Sequence, residues 1–503
     1  MAETISKHRV SEYNRRDRWA FNGLLCLMVW LPLPLASNRS WAIGILIAIV
    51  TLLCAMVALS WRRDLPALLA TLSKYRLPLA LLGLFVICSF LQVAPLPASW
   101  VGVLSPNSFK VQQAAGLSAI GASMYLSLDV YQSRIMASLS CAYFFTFVLV
   151  LLLVRDTRRL DRMAQVLVWS GLAQAVIGVL LFSLGAHYRL FFYELLHANV
   201  LGTFANRNHF AGYMEMTLAV GIGLMLARLG NSEPTYSGWR HRVVAGMNFL
   251  LGPKMRLRIM LVIMVIALVL TRSRMGNTAF FASMLIVGLI SLPLSWRTAP
   301  ATIALITSLV IVDVVLVGTW VGLDKVVSRL DETKLSTSAA GGINNAGKVI
   351  NGKYVEDSVE ERLLPARYAL HLIADFPLFG TGGGSFYTAF TRYRPPEIAG
   401  YYDHAHNDYA EIASNSGLLG GALLALLTLS SFVMAVKIMI KRRSSLVRGI
   451  AFGAMMSIVA LAIHSSVDFN LQIPANALTF VIILALAWVA AKLPSQGGGG
   501  IRR

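Results

Sequence analysis

Charge is scarce in this chain: Asp, Glu, Lys and Arg make up only 14% of its 503 residues, against 56% hydrophobic. That deficit excludes a soluble multidomain enzyme, which carries roughly a quarter of its residues as charges. Cysteine is sparse too. Cys26, Cys54, Cys88 and Cys141 lie in apolar runs without C-x-x-C spacing, so a disulfide framework and a zinc or redox thiol site are excluded. Acidic residues number 24 against 44 basic, and they show no D-x-D-like pair to hold a divalent metal. No βαβ unit surrounds the one glycine cluster, Gly380–Gly384, so a nucleotide-binding loop is excluded. A tight turn is expected there, with a backbone contact to pyrophosphate as the alternative.

What the chain has instead is apolar runs of about 20 residues, the length that crosses a bilayer as a helix. We read twelve: 19–37, 41–60, 77–94, 134–154, 163–184, 209–228, 257–272, 275–294, 301–320, 409–436, 447–467 and 474–492. The first is interrupted by Pro32 and Pro34, and the sixth carries Glu215. The expected fold is an all-α integral membrane protein of about twelve transmembrane helices. Its net charge of +20 would otherwise point to nucleic acid. With both termini cytoplasmic, however, the short inner segments 61–76, 155–162, 228–258 and 437–448 are basic, and most outer basic residues lie in one long loop. The charge therefore orients the spans, and nucleic acid is not a partner. The expected organisation is a cytoplasmic stub (1–18, with no cleavage site after it), nine spans (19–320), a long periplasmic loop with a surface helix near Glu360–Phe376 (321–408), three spans (409–492) and a flexible cytoplasmic tail (493–503).

Three polar clusters fall at the outer face on this topology. Phe204–Gly212 contains Asn206, Arg207, Asn208 and His209, and opens the sixth span. Thr271–Gly276 is a turn holding Arg272 and Arg274. His404-Ala-His406-Asn407-Asp408-Tyr409-Ala-Glu411 opens the tenth. Groups this polar at the edge of hydrocarbon are costly, and catalysis is one reason to keep them. A guanidinium stays charged and forks onto phosphate oxygens, so Arg207, Arg272 and Arg274 are candidates for a diphosphate site, and in so short a turn the last two cannot both reach far into solvent. Snorkelling to lipid phosphates is the plainer alternative. His404 and His406 are candidate general bases, since a neutral imidazole accepts a hydroxyl proton near neutral pH. They could otherwise belong to a solvated or capped helix start, with Asp403 or Asp408 as cap, or ligate a metal, although no third ligand has recognisable spacing. Glu215, Asp313, His464 and Asp468 are the remaining ionisable groups in or near spans; the last two could line the same cavity.

These residues resemble the O-antigen ligase and polymerase superfamily of bacterial envelope glycosyltransferases. Its ligases carry His followed by Asn, Ser or Gln, then nine residues, Gly, three residues, and Gly, Thr or Tyr; this chain has His406-Asn407, Gly417 and Gly421 at that spacing. Ser273-Arg274-x-Gly276 is similar to the family's arginine turn, and Asn206-Arg207-Asn208 to the opening of its preceding outer helix. The resemblance implies a GT-C-like architecture in the inner membrane. It implies metal-independent, inverting transfer of a glycan from an undecaprenyl-diphosphate carrier to an acceptor hydroxyl on the periplasmic face, with no cofactor. Arginines would neutralise the leaving diphosphate and His406 would deprotonate the acceptor, with Asn206, Asn208, Asn407, Asp408, Tyr409 and Glu411 supporting. His404 and Asp408 are extra to the motif, which leaves the roles of His404 and His406 open to exchange. The acceptor is another glycan repeat in a polymerase of exopolysaccharide or O-antigen, the preferred reading, or lipid A-core in a ligase. A flippase and a chain-length regulator are potential partners. A multi-spanning transporter is the reading of another class.

Overall fold

Within hydrocarbon only a helix satisfies its own backbone, so the apolar runs become long helices. The computed structural model describes residues 15–62, 64–116, 123–185, 187–190, 193–196, 199–229, 252–294, 348–350, 353–355, 359–395 and 402–494. In chain order these form α1 (Arg18–Trp30), α2 (Ser40–Trp61), α3 (Leu65–Leu72), α4 (Arg76–Gln92), α5 (Ala98–Leu104), α6 (Pro106–Ala114), α7 (Val130–Leu153), α8 (Thr157–Ser183), α9 (Arg207–Leu229), α10 (Pro253–Leu270), α11 (Arg274–Leu294), α12 (Val359–Asp375), α13 (Phe386–Phe390), α14 (Asp408–Lys441), α15 (Ser445–His464) and α16 (Pro474–Lys492). The fold is all-helical as expected, apart from two short antiparallel strand pairs, His187–Leu190 with Tyr193–Leu196 and Lys348–Ile350 with Lys353–Val355.

Nine helices among the described residues are long and apolar enough to cross a membrane. They coincide with nine of the twelve expected spans. Of the other three, 301–320 lies outside the described residues. The 19–37 run yields only the 13 residues of α1, about 20 Å of helix, before a turn in which Leu35, Ala36 and Ser37 all take positive φ. α10 has 18 residues, but the sequence of its first turns includes Lys254, Arg256 and Arg258. The ends of the chain and residues 321–347, 351–352, 356–358 and 396–401 of the long loop also lie outside the described residues.

The sixth expected span, suspect for its Glu215, is among the best buried. The apolar stretch of α9 is 89% buried, against 28% for α2. α9 packs on α8, α10, α11, α15 and α16, so its carboxylate faces protein and not lipid. Its contact with α15 is backbone to backbone: a Cβ on Gly223 would lie 2.1 Å from the Gly449 carbonyl oxygen.

α14 is broken near its start. Gly417 sits at φ 68, ψ 175, outside helical space, and the carbonyls freed by the break find new donors. The Thr381 N–H bonds Ser414 O at 2.8 Å, the Gly382 N–H bonds Asn415 O at 3.0 Å, and Gln92 Nε2 bonds Asn415 O at 2.8 Å. The Gly380–Gly384 cluster is thus the tight turn the sequence pointed to, wedged into a helix break. Gly380, Gly382 and Gly384 all have positive φ. The expected surface helix is α12. Its Ala366, Ala369 and Leu372, with Phe376 just past its end, pack inward onto Phe386, Phe390, Tyr402, Ala405 and Ala410, while Leu363 is exposed. α12 therefore roofs the loop that carries the two histidines.

Candidate active site

The histidine loop is held from both ends. Asn407, and neither Asp403 nor Asp408, caps α14: its side-chain oxygen accepts the Ala410 N–H at 2.9 Å while Nδ2 donates to Ser466 O at 2.7 Å. Glu411, buried one turn later, accepts His404 Nδ1 at 2.6 Å and the Ala405 N–H at 2.9 Å. Tyr409 donates to Ala462 O at 2.7 Å. His406 lies between these anchors at φ 51, the left-handed region, which costs a non-glycine residue about 1–3 kcal/mol and recurs where function demands it.

Asp408 is a clamp, and so has a structural reason to be fully buried. Its carboxylate accepts Ser465 Oγ at 2.8 Å, the Leu471 N–H at 3.0 Å and Gln472 Nε2 at 3.2 Å. That pins the 465–472 turn against the start of α14. The turn delivers Phe469, whose ring stacks on His404 at 4.1 Å and meets His406 edge-on at 5.0 Å and His209 edge-on at 4.5 Å. It also delivers Asp468, whose carboxylate lies 3.5 Å from His209 Nε2. Burial opposes the charge of Asp468, but His209, His464 and His406 outweigh it and hold the carboxyl well below the usual range. The first and third clusters are therefore one assembly around Phe469. His209 was visible in the sequence only as part of a polar stretch, Asp468 only as an ionisable group near a span end. Phe469 gave no signal, because an aromatic in an inter-span turn looks like any other.

The arginine turn joins from the α9 side. Asn206 accepts the Asn208 N–H at 2.8 Å and starts α9, leaving Arg207 half-buried and Asn208 buried. Gly276 packs so closely on α9 that a Cβ there would lie 2.5 Å from Ala211 Cβ. Arg272, at φ 55, and Arg274, the first residue of α11, are both exposed. The turn therefore places both side chains at the surface of the protein. Among the described residues no group of three or more His, Cys, Asp and Glu is placed to hold a metal.

The His404–Glu411 pair has a pH signature. Burial opposes charge on His404, but the Glu411 carboxylate more than offsets it, and the imidazole pKa is raised from its ordinary 6.5. A raised folded value means that the pair stabilises fully below about 6.5 and loses its contribution as pH climbs through that higher value. We expect His404→Gln to lower the melting temperature of the purified protein most at pH 6, the two curves converging in alkali. A difference constant with pH would show the pair to be uncharged.

Comparison with known families bears directly on this arrangement. Residues 259–425 match the family described as O-antigen ligase. No curated protein matches the chain. The matched O-antigen ligase region holds the arginine turn, the histidine loop and the break at Gly417, whereas the Asn206–Gly212 opening of α9 and the Asp468–Phe469 turn lie beyond it. The matched region is similar to the O-antigen ligase family, in a chain with nine described helices long and apolar enough to cross a membrane.

Proposed function

We propose that this protein transfers a glycan from an undecaprenyl-diphosphate carrier to an acceptor hydroxyl at the periplasmic face of the inner membrane. The observation that carries the reading is that the first turns of α9 join the two clusters: Ala211 packs on Gly276 of the arginine turn, and His209 meets Phe469, which touches both histidines of the loop. Arg207, Arg272 and Arg274 neutralise the diphosphate as the glycosidic bond breaks, which removes the need for a strong general acid. His406 takes the acceptor proton. His404, already donating to Glu411 and favoured as a cation, is poorly suited to be a base, so the choice between the two histidines falls on His406. Asp468 stabilises the imidazolium that forms. Attack from the face opposite the diphosphate inverts the anomeric carbon.

A lipid carrier needs an apolar berth beside this site. A cleft of about 830 Å³ runs between α4, α7, α14, α15 and α16, from Gln92, Gly384, Tyr409 and Gln472 at its polar end to Phe432 and Leu484 among the spans. Its size and lining suit a long hydrocarbon chain.

Arg274→Lys keeps the charge but loses the fork. We expect transfer to fall roughly 100-fold, or about 2.7 kcal/mol, measured with a purified lipid-linked repeat unit. Wild-type activity would argue against two-pronged diphosphate binding. Joining of repeat units to one another is our preferred outcome, and the name of the matched family favours the second, attachment to lipid A-core. Supplying lipid-linked repeats with and without lipid A-core separates them: polymer formed without lipid A-core identifies a polymerase, and a product requiring it identifies a ligase.

A further inference from the structure

Beneath the site lies a buried pair that the transfer scheme does not use. Glu215 is two turns inside α9 and His464 closes α15. Both are fully buried, and His464 Nδ1 donates to Glu215 Oε1 at 2.7 Å. Glu215 Oε2 and His464 Nε2 have no hydrogen-bond partner among the described residues. A buried ion pair adds little net stability over apolar packing, so a pair left half-satisfied inside a span calls for another reason.

Its position supplies one. On one side, Glu215 Oε1 lies 3.2 Å from where a Gly276 Cβ would be, directly under the first turn of α11 that begins with Arg274. A carboxylate beneath a helix start is favoured by the helix dipole, and Gly276 permits the close approach. On the other side, the chain leaving His464 reaches Asp468 and Phe469, which meet His209, His404 and His406. The titratable groups facing the pair are Asp468 and Asp408 from the surrounding turn and helix start, and His209 from the first turn of α9. The Gly223–Gly449 contact, with Gly453 against Ala219, keeps α9 and α15 from sliding.

We propose that Glu215, acting through His464, is a positioning residue that fixes the arginine turn relative to the Asp468–His209–His406 group. The inference rests on the transfer reading above. A displacement of about 1 Å between two reacting groups can cost 100-fold in rate. Purified Glu215→Gln should therefore lose about 100-fold in kcat for glycan transfer, with KM for the lipid-linked donor within twofold of wild type. Its pH–rate profile should shift, because the charge next to Asp468 changes. His464→Gln should behave alike, and the double variant should be no worse than the poorer single one; should Glu215→Gln fail to fold, His464→Gln is read in its place. Wild-type kcat and pH profile in these variants, with Arg274→Ala and His406→Ala inactive, would overturn the inference and spare the transfer reading. Lost activity with an unmoved pH profile and a lowered melting temperature would also overturn it, leaving a packing pair. Full activity in Arg274→Ala and His406→Ala would remove the transfer reading itself, and the inference with it.

Discussion

Gly417→Ala should leave almost no folded, active protein. The added methyl would sit 2.2 Å from the Leu378 carbonyl oxygen and 2.6 Å from the Phe379 nitrogen, so it meets backbone and not a movable side chain. It would also have to hold φ 68 with ψ 175, a combination essentially confined to glycine. Strain and clash together should cost about 3 kcal/mol or more, a large fraction of what keeps a domain folded. The damage would spread, because the break at Gly417 is where Gln92, Thr381 and Gly382 lock the glycine turn onto α14. The companion Gly421→Ala should be close to neutral, since the nearest atom to a Cβ there is Ile412 Cγ2 at 4.0 Å. Both are read from the melting temperature and yield of purified protein. A well-folded Gly417→Ala, or a Gly421→Ala equally damaged, would show that the first glycine does not serve the helix break.

That asymmetry shows how far the sequence could be read. The His406-Asn407, Gly417, Gly421 spacing marked the right stretch, but treated its two glycines alike. Only the inserted 378–384 turn distinguishes them, and no local pattern records which distant segment enters a helix break. The spans were legible for the opposite reason: burial of a self-bonded helix in lipid depends on local composition, so nine of the expected runs fall on helices long and apolar enough to cross a membrane. Ambiguous composition was harder to read. Pro32 and Pro34 shorten the first run to α1, and the sixth looked weak when it was central, because a carboxylate paired across 249 residues is indistinguishable in sequence from an exposed one. The polar clusters were found because charges near apolar runs are conspicuous. Phe469, which organises all three histidines, was not. Asp408 was conspicuous too, and it proved to be a clamp: acidity flagged the position without saying whether the carboxylate faced a substrate or a backbone amide.

Replacing His406 by Ala should reduce glycan transfer by roughly 10²–10⁴-fold, the usual worth of a general base, with folding intact. His406→Gly makes the test sharper. The native backbone is left-handed at this position, which glycine adopts freely and alanine does not. His406→Gly should thus be more stable than His406→Ala by about 1 kcal/mol while being just as inactive. The side chain makes edge-on contacts with Tyr402 and Phe469, yet the cap from Asn407, the clamp of Asp408 and the Glu411 bonds to His404 and Ala405 hold the loop without it. A stable, inactive glycine variant would mean that the strain is borne to present the imidazole and not to build the loop. If instead His406→Gly unfolds the protein, the ring is a structural wedge, and the proton acceptor has to be sought at His404 or His209.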